Sequence, residues 1–187
     1  MILGHFRLNP IEVNAFIYAC PESREALLVD CGEFDPRLPD FVDLHGLKLT
    51  TIFVTHEHWD HVQALPEAAK HFGAEVISAI PSPGGVAEAR VARPGETIQI
   101  GRMTGRTVDT SGHTPIALSL IFSGLVFTGD ALFAGSVGGT SNPEDYARQI
   151  ENVRQNLFTL PDDTIVCPGH GPCSTIGVER HFNPFFV

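Results

Sequence analysis

The stretch Thr55-His56-Glu57-His58-Trp59-Asp60-His61 constrains this chain more than any other. Three imidazoles and two carboxylates fall within six positions. They directly follow residues 49–55, Leu-Thr-Thr-Ile-Phe-Val-Thr, a short and mostly apolar run expected to be a strand buried on both faces. The cluster therefore fixes a point where a buried strand stops and the chain turns into a helix. His56 and His58 are two apart, so in an extended segment they point the same way and can share one metal ion. Asp60 and His61 come where the helix has to begin, and so face a second point nearby. Imidazole and carboxylate suit zinc, iron or manganese. The plain alternative is a polar loop with accidental histidines. With nine histidines in the chain one close pair would be unremarkable, but three in six positions are not.

Three further segments join the argument. Ser111-Gly112-His113-Thr114-Pro115 lies between two expected strands. Thr128-Gly129-Asp130 ends another, and Pro168-Gly169-His170-Gly171-Pro172 follows a third. Each puts one ligand-type side chain in a turn shaped by Gly or Pro, which holds the side chain rigidly and lets backbone come close. Taken singly, His113 and His170 would be ordinary loop histidines and Asp130 a turn former or cap. Their shared position at strand ends sets them apart.

Elsewhere apolar runs alternate with short turns. No repeat, charge block or linker divides the 187 residues, so one domain spanning 1–187 is expected. Residues 2–6, 14–18 and 26–30 read as early strands rich in β-branched and aromatic side chains. A helix is expected over 34–45 with Gly46 as its stop, and another over 62–72 ended by Gly73. Residues 76–80 read as a strand, 81–85 as a loop, and 87–96 are poorly patterned. A second set of strands is expected at 97–100, 103–109, 116–122 and 125–128, with Ser123-Gly124 as a tight hairpin turn. Asn142 is a good N-cap for a helix from about 144 to 158. A last strand at 164–167 precedes a short helix from Ile176. Strands, helices, more strands and a closing helix suit two packed sheets with helices outside, and equally suit other α/β arrangements.

Composition narrows the function. Leu, Ile, Val and Phe make up 56 of the residues, enough for a sizeable core. The net charge is −10 and the only lysines are Lys48 and Lys70. A duplex binder needs a basic face to displace counterions, and an anionic membrane attracts basic segments, so neither nucleic acid nor membrane is an expected partner. No apolar run approaches the ~18 residues that span a bilayer, and the N-terminus has no signal-peptide pattern. Cys20, Cys31, Cys167 and Cys173 form no CxxC pair and are expected to be reduced thiols in a cytoplasmic protein.

His-x-His-x-Asp-His at 56–61, followed in order by a lone His113, Asp130 and His170, resembles the metallo-β-lactamase superfamily. The resemblance runs from Asn14 to Phe186. Residues 26–32 (ALLVDCG) are similar to the family's strand ending in Asp-x-Gly. Residues 128–136 (TGDALFAGS) and 175–185 (TIGVERHFNPF) resemble the glyoxalase II-like branch, the hydroxyacylglutathione hydrolases and their relatives. The resemblance implies an α/β (α+β) fold, a four-layer αββα sandwich with a metal site at one edge. It implies that His56, His58 and His113 hold one divalent ion. Asp60, His61 and His170 would hold a second, and Asp130 would bridge them. Zinc is expected first, with iron or manganese as alternatives. Five neutral imidazoles and two carboxylates leave a pair of dications net positive, which suits a bridging hydroxide. Water bound to such ions has its pKa lowered towards ~7, giving a nucleophile for a thioester carbonyl at neutral pH. Asp60 has a secondary role as proton acceptor, and Asp30 is a candidate to orient an imidazole.

The expected reaction is thus hydrolysis of a small-molecule thioester. A mononuclear iron persulfide dioxygenase, using His56, His113 and Asp130, is a different reaction class. Lactone or ester hydrolysis would use the same chemistry as the thioesterase, and a non-catalytic binding module would normally forfeit ligands. Nothing points to β-lactam hydrolysis as the main activity. Two departures from the family stand out. Gly139-Thr140-Ser141 stands where relatives carry an Arg and an Asp, and Asp109-Thr110-Ser111 precedes Gly112-His113 where relatives have His-Thr-Pro. The chain ends at Val187, so the C-terminal helical domain that holds glutathione in full-length glyoxalase II enzymes is not expected. The region 81–95 looks compact for a substrate cover, so an open cleft is expected. Trp59 either lines that cleft or packs at the helix start. Glu57 reads as solvated or as a supporting group. His5, His45, His71 and His181 read as surface or capping groups, and Cys31, Cys167 and Cys173 as packed or loop thiols. Arg148 and Arg180 lie on expected helices, where they could meet an anionic substrate.

Overall fold

The structure, a computed structural model, describes residues 2–8 and 11–187. Three strands open the chain, β1 (Ile2–Leu8), β2 (Val13–Ala19) and β3 (Glu25–Val29), paired antiparallel in sequence. Helix α1 (Arg37–Leu44) carries the chain back to β4 (Lys48–Phe53), which lies parallel to β3. Two helices, α2 (Trp59–Val62) and α3 (Leu65–Phe72), then lead to β5 (Glu75–Ser78). After a short 3-10 turn, β6 (Arg90–Val91) completes a six-stranded sheet in the order β1-β2-β3-β4-β5-β6.

The second sheet repeats the plan in mirror order. Strands β7 (Thr97–Ile100), β8 (Met103–Asp109), β9 (Leu118–Phe122) and β10 (Leu125–Gly129) form an antiparallel run. Helix α4 (Pro143–Asn156) crosses to β11 (Ile165–Pro168), parallel to β10. Strand β12 (Ser174–Thr175) and helix α5 (Ile176–Phe182) end the element order. The sheet runs β12-β11-β10-β9-β8-β7.

Strand alternation builds the layers, because successive side chains point to opposite faces. Leu27, Phe53 and Phe127 point inward and join Phe16, Tyr18, Leu120 and Phe122 in a core between the sheets. Their neighbours Leu28 and Ile52 point outward and pack under Leu38, Val42, Leu65 and Ala68 of α1 and α3. Val126 and Val166 pack under Val153, Leu157 and Ile176 on the far side. The result is the expected αββα sandwich. Both faces of the central strands are covered, so β4 and β10 read in sequence as near-continuous apolar runs.

Several boundaries differ from expectation, each for a local reason. The helix expected over 62–72 is two helices, and the first begins inside the histidine cluster at Trp59. Pro66 has no N–H to offer the Val62 carbonyl. The Cys31 carbonyl instead accepts the Ala64 N–H at 3.0 Å. Helix α1 starts three residues late, at Arg37, whose N–H donates to the Asp35 carboxylate. Strand β9 starts at Leu118 because Thr114 Oγ1 donates to the Ile116 carbonyl and holds 114–116 in a turn. The two-residue strands β6 and β12 had no sequence signal. Asn142 caps α4 as expected, accepting the Asp145 N–H at 2.8 Å.

Candidate metal centre

The seven candidate ligands gather at one edge of the sandwich, just past the C-terminal ends of β4, β8, β10 and β11. The strand of the histidine cluster ends at Phe53, and the extended residues that follow carry His56 and His58 outward on one side. His56 Nε2 and His58 Nδ1 lie 3.2 Å apart, and His113 Nε2, from the turn after β8, lies 2.8 Å from the same His58 nitrogen. His61 and Asp60, on α2, face a second point. Asp60 Oδ2 is 3.1 Å from His170 Nε2 and 3.6 Å from His61 Nε2. Asp130, after β10, sits between the two groups. Its Oδ1 lies 3.4 Å from His61 Nε2, and its Oδ2 lies 3.4 Å from His113 Nε2 and 3.8 Å from His170 Nε2. All seven residues named from sequence are therefore brought together.

The supporting hydrogen bonds decide which ring nitrogens face the centre. Asp30 Oδ2 accepts from Thr55 Oγ1 and from His61 Nδ1, each at 2.8 Å, while Oδ1 accepts the Thr55 N–H. With its proton committed to Asp30, the Thr55 hydroxyl oxygen accepts from His56 Nδ1 at 3.1 Å. The Gly139 carbonyl accepts from His113 Nδ1 at 2.5 Å. In the neutral rings, His56, His61 and His113 thus turn lone pairs on Nε2 toward the centre. Facing lone pairs repel unless a cation or a proton lies between them. His61 Nε2 and Asp130 Oδ1 are also fully buried with no hydrogen-bond partner. That donor set, with its buried unpartnered atoms, fits divalent metal ions.

The electrostatics agree. Burial, reinforced by the neighbouring imidazoles, holds His56 well below the usual histidine range. Burial also lowers His58. At His61 burial opposes the charge, but Asp30 and Asp130 outweigh it and push the ring up to about 10. Asp130 shows the reverse balance. Its burial favours the neutral acid, yet the imidazoles, His61 first, pull it far below the usual carboxylate range. Without a metal, a proton on His61 sits where a cation would.

The backbone leaves no slack. A Cβ on Gly169 would stand 2.2 Å from Asp130 Oδ1 and 2.6 Å from His61 Cε1, so only glycine lets the His170 turn approach. Gly112 has φ +146°, and a Cβ there would meet the backbone of Gln149 in α4 at 2.6 Å. Gln149, fully buried, donates toward the carbonyls of Asp130, Ala131 and Gly138, tying α4 to the Asp130 loop. Asn14 of β2 donates to the carbonyls of Pro168 and Gly171 at 2.9 and 2.8 Å and so clamps the His170 turn. Sequence reasoning missed Thr55, Asn14, Gln149 and the Gly139 carbonyl. Amide and hydroxyl side chains carry no ligand signature, and a carbonyl carries no residue signature at all.

The other candidates resolve differently. Trp59 is 60% exposed, so it does not pack at the helix start. Glu57 is exposed. Arg148 pairs with Asp145, while Arg180 binds the Phe158 carbonyl and Asp162, so both cations are engaged within their own surface. His5 stacks on Phe16 and hydrogen-bonds Asn14. A cavity of about 350 Å³ adjoins the His113 turn, lined by Arg93, Asp109, Ser111, Pro115, Ile116 and others.

Comparison with known proteins settles the family. The sequence profile of the metallo-beta-lactamase superfamily matches residues 8–170, a span that includes all seven ligand candidates. The chain belongs to the metallo-β-lactamase superfamily. Among the relatives of this superfamily member, the hydroxyacylglutathione hydrolase GloC of Haemophilus influenzae is 31% identical, over 94% of this chain and 95% of its own. The crystal structure of ETHE1 from Myxococcus xanthus is 29% identical, with a TM-score of 0.88 over 98% of this chain and 84% of that one. The crystal structure of TTHA1623 in a di-iron-bound form is 27% identical, with a TM-score of 0.78 over 97% and 99%. The first of these places the chain with the glyoxalase II-like branch of the metallo-β-lactamase superfamily. Among the described residues, no helix is long and apolar enough to cross a membrane.

Proposed function

We propose that this metal-dependent hydrolase is a dinuclear thioesterase acting on a small-molecule thioester. His56, His58 and His113 would hold one divalent ion and Asp60, His61 and His170 the other, with Asp130 shared. The observation that carries the reading is the placement of Asp130 between the two groups, with Oδ2 3.4 Å from His113 Nε2 and 3.8 Å from His170 Nε2, and Oδ1 3.4 Å from His61 Nε2. A mononuclear dioxygenase would leave the convergence of Asp60, His61 and His170 without a use.

When bound, the ions supply Lewis acidity and a water acidified to near neutral pH. The chain's own residues do the rest. Asp30, Thr55 and the Gly139 carbonyl hold three imidazoles in the tautomer that keeps Nε2 free. Asp60 takes up a proton during hydrolysis. No imidazole is left over as a proton donor for the leaving group, because all five already converge on the centre. That favours a leaving group that departs without protonation. A thiol, with a pKa of roughly 8.5, does so, and an alcohol does not. The kinship with a hydroxyacylglutathione hydrolase supports the same class. The cavity beside the His113 turn is near the lower bound of the ~300–1,000 Å³ typical of small-molecule sites. It offers mainly apolar surface and the Arg93 cation to the acyl portion.

The test is thiol release from a panel of hydroxyacyl and acyl thioesters by zinc-, iron- and manganese-loaded protein, beside oxygen uptake with a persulfide. Thiol release without oxygen uptake supports the thioesterase. Oxygen uptake without thioester turnover overturns it.

A further inference from the structure

The turn that carries His170 is bracketed by two cysteines. Strands β11 and β12 pair antiparallel, with Ile165 opposite Thr175 and Val166 opposite Ser174. Continued one step beyond the paired residues, that register brings Cys167 opposite Cys173. The five residues between them are Pro168-Gly169-His170-Gly171-Pro172, with His170 at the centre. Residues directly opposite on antiparallel strands have Cα atoms roughly 4.5–5.5 Å apart. A disulfide needs about 4.4–6.8 Å, a range that includes the spacing of such a pair. Cys167 is buried and Cys173 is exposed, so one sulfur is reachable from solvent and its partner is shielded. The remaining thiols are both buried. Cys20 hydrogen-bonds Glu22, and Cys31 hydrogen-bonds the Glu33 carbonyl.

We propose that Cys167 and Cys173 are a redox modification site, closing to a reversible disulfide that clamps the base of the His170 turn. The oxidant is hydrogen peroxide. Cys173 Sγ, as thiolate, attacks one peroxide oxygen. The O–O bond breaks, and the departing hydroxide takes a proton and leaves as water. Cys173 is then a sulfenic acid. Cys167 Sγ attacks that sulfur, the S–O bond breaks, and the Cys167 proton leaves with the hydroxide as a second water. Two thiols and one peroxide become one disulfide and two waters. The sulfurs lose two electrons and the peroxide gains them. The order of attack follows from the pair itself. The hydrogen bond between the two thiols lowers Cys173 and raises Cys167, which burial raises further. The thiolate therefore forms at the exposed sulfur, where it is nucleophilic. A dithiol reductant reverses the bond by exchange.

The turn is already held noncovalently by Asn14. A covalent tie between its two ends makes opening rarer, so amide exchange within 168–172 slows. This inference is independent of the reaction the metal centre performs.

The experiment treats the purified protein with stoichiometric hydrogen peroxide. Thiols are then counted in denaturant, peptides mapped by mass spectrometry, and hydrogen exchange followed over 168–172. Free thiols are expected to fall from four to two, with 167 joined to 173. Dithiothreitol restores all four, and exchange in the turn is several-fold slower when oxidised. Cys20→Ser is expected to form the same bond, while Cys173→Ser keeps all its thiols at this dose. Four unreacted thiols, a Cys173 sulfinic acid with Cys167 still free, or unchanged exchange in the turn would each overturn the proposal.

Discussion

Asp30 is not itself a candidate ligand, yet it sets two residues that are. It accepts directly from His61 and reaches His56 through the Thr55 hydroxyl. Its φ of +56° is uncommon for a residue other than glycine, and the strand end holds it there. Asp30→Ala strands the His61 Nδ1 proton in a buried place and frees both rings to turn. Metal affinity is expected to fall about 10–100-fold, measured by chelator competition. Asp30→Asn keeps the shape but loses the charge and is expected to fall between the two. Gly169→Ala tests the close approach instead. Its methyl group would sit on Asp130 and His61, so hydrolysis and metal content are both expected to drop while far-ultraviolet circular dichroism stays unchanged. The ligand residues were legible in the sequence because histidine and aspartate at strand ends announce themselves. Asp30 was legible from its strand-end motif as a candidate to orient an imidazole, but not which imidazole it would hold. Thr55 and Asn14 were not, because their roles depend on which backbone lies opposite them.

At the scale of elements, α4 and the His170 turn show how secondary structure locks the centre. Asn142 caps α4, and Gln149 on its buried face binds three carbonyls of the loops that carry Asp130 and receive His113. Asn142→Ala should cost about 1 kcal/mol. The melting temperature is then expected to fall by roughly 2–4 °C in a scan, with activity at 25 °C little changed. Asn14→Ala removes two hydrogen bonds to the His170 turn at about 1 kcal/mol each. It is expected to weaken the second metal more than the first, as stepwise metal titration would show. The capped helix was readable because an Asn-Pro-Glu-Asp start is local chemistry. The break between α2 and α3 was not. It arises where the Ala64 N–H, two residues before Pro66, donates to the Cys31 carbonyl beyond β3, and no periodicity within 62–72 contains that carbonyl. The strands β6 and β12 escaped for the same reason, since two residues pair only because a sheet edge is already there.

The whole molecule couples folding to its metal charge. The αββα layering was legible through the family resemblance, since apolar strands alone fit other α/β arrangements too, while the strand order in each sheet came only with the structure. Without metal, His61 is held up to about 10 against an ordinary value of 6.5. A raised pKa stabilises the folded state fully below the unfolded value, and the benefit is lost as pH rises through the folded one. Metal-free protein should therefore lose stability between about pH 6.5 and 10. His56 acts the other way, held low by burial, and costs stability as pH falls below 6.5. Metal-loaded protein should show a flatter profile from 6.5 to 10, because the ion replaces the His61 proton. Thermal scans of both forms at pH 7 and 9.5 would measure the difference, and metal uptake at pH 8 in weak buffer should release protons. The most direct test of the proposed dinuclear centre is elemental analysis of chelator-free protein, with thioester hydrolysis followed as metal is added back. Two equivalents per chain are expected, with activity rising until both are bound, and His170→Ala should retain about one. A single equivalent that gives full activity, or a His170→Ala variant that still binds two, would contradict it.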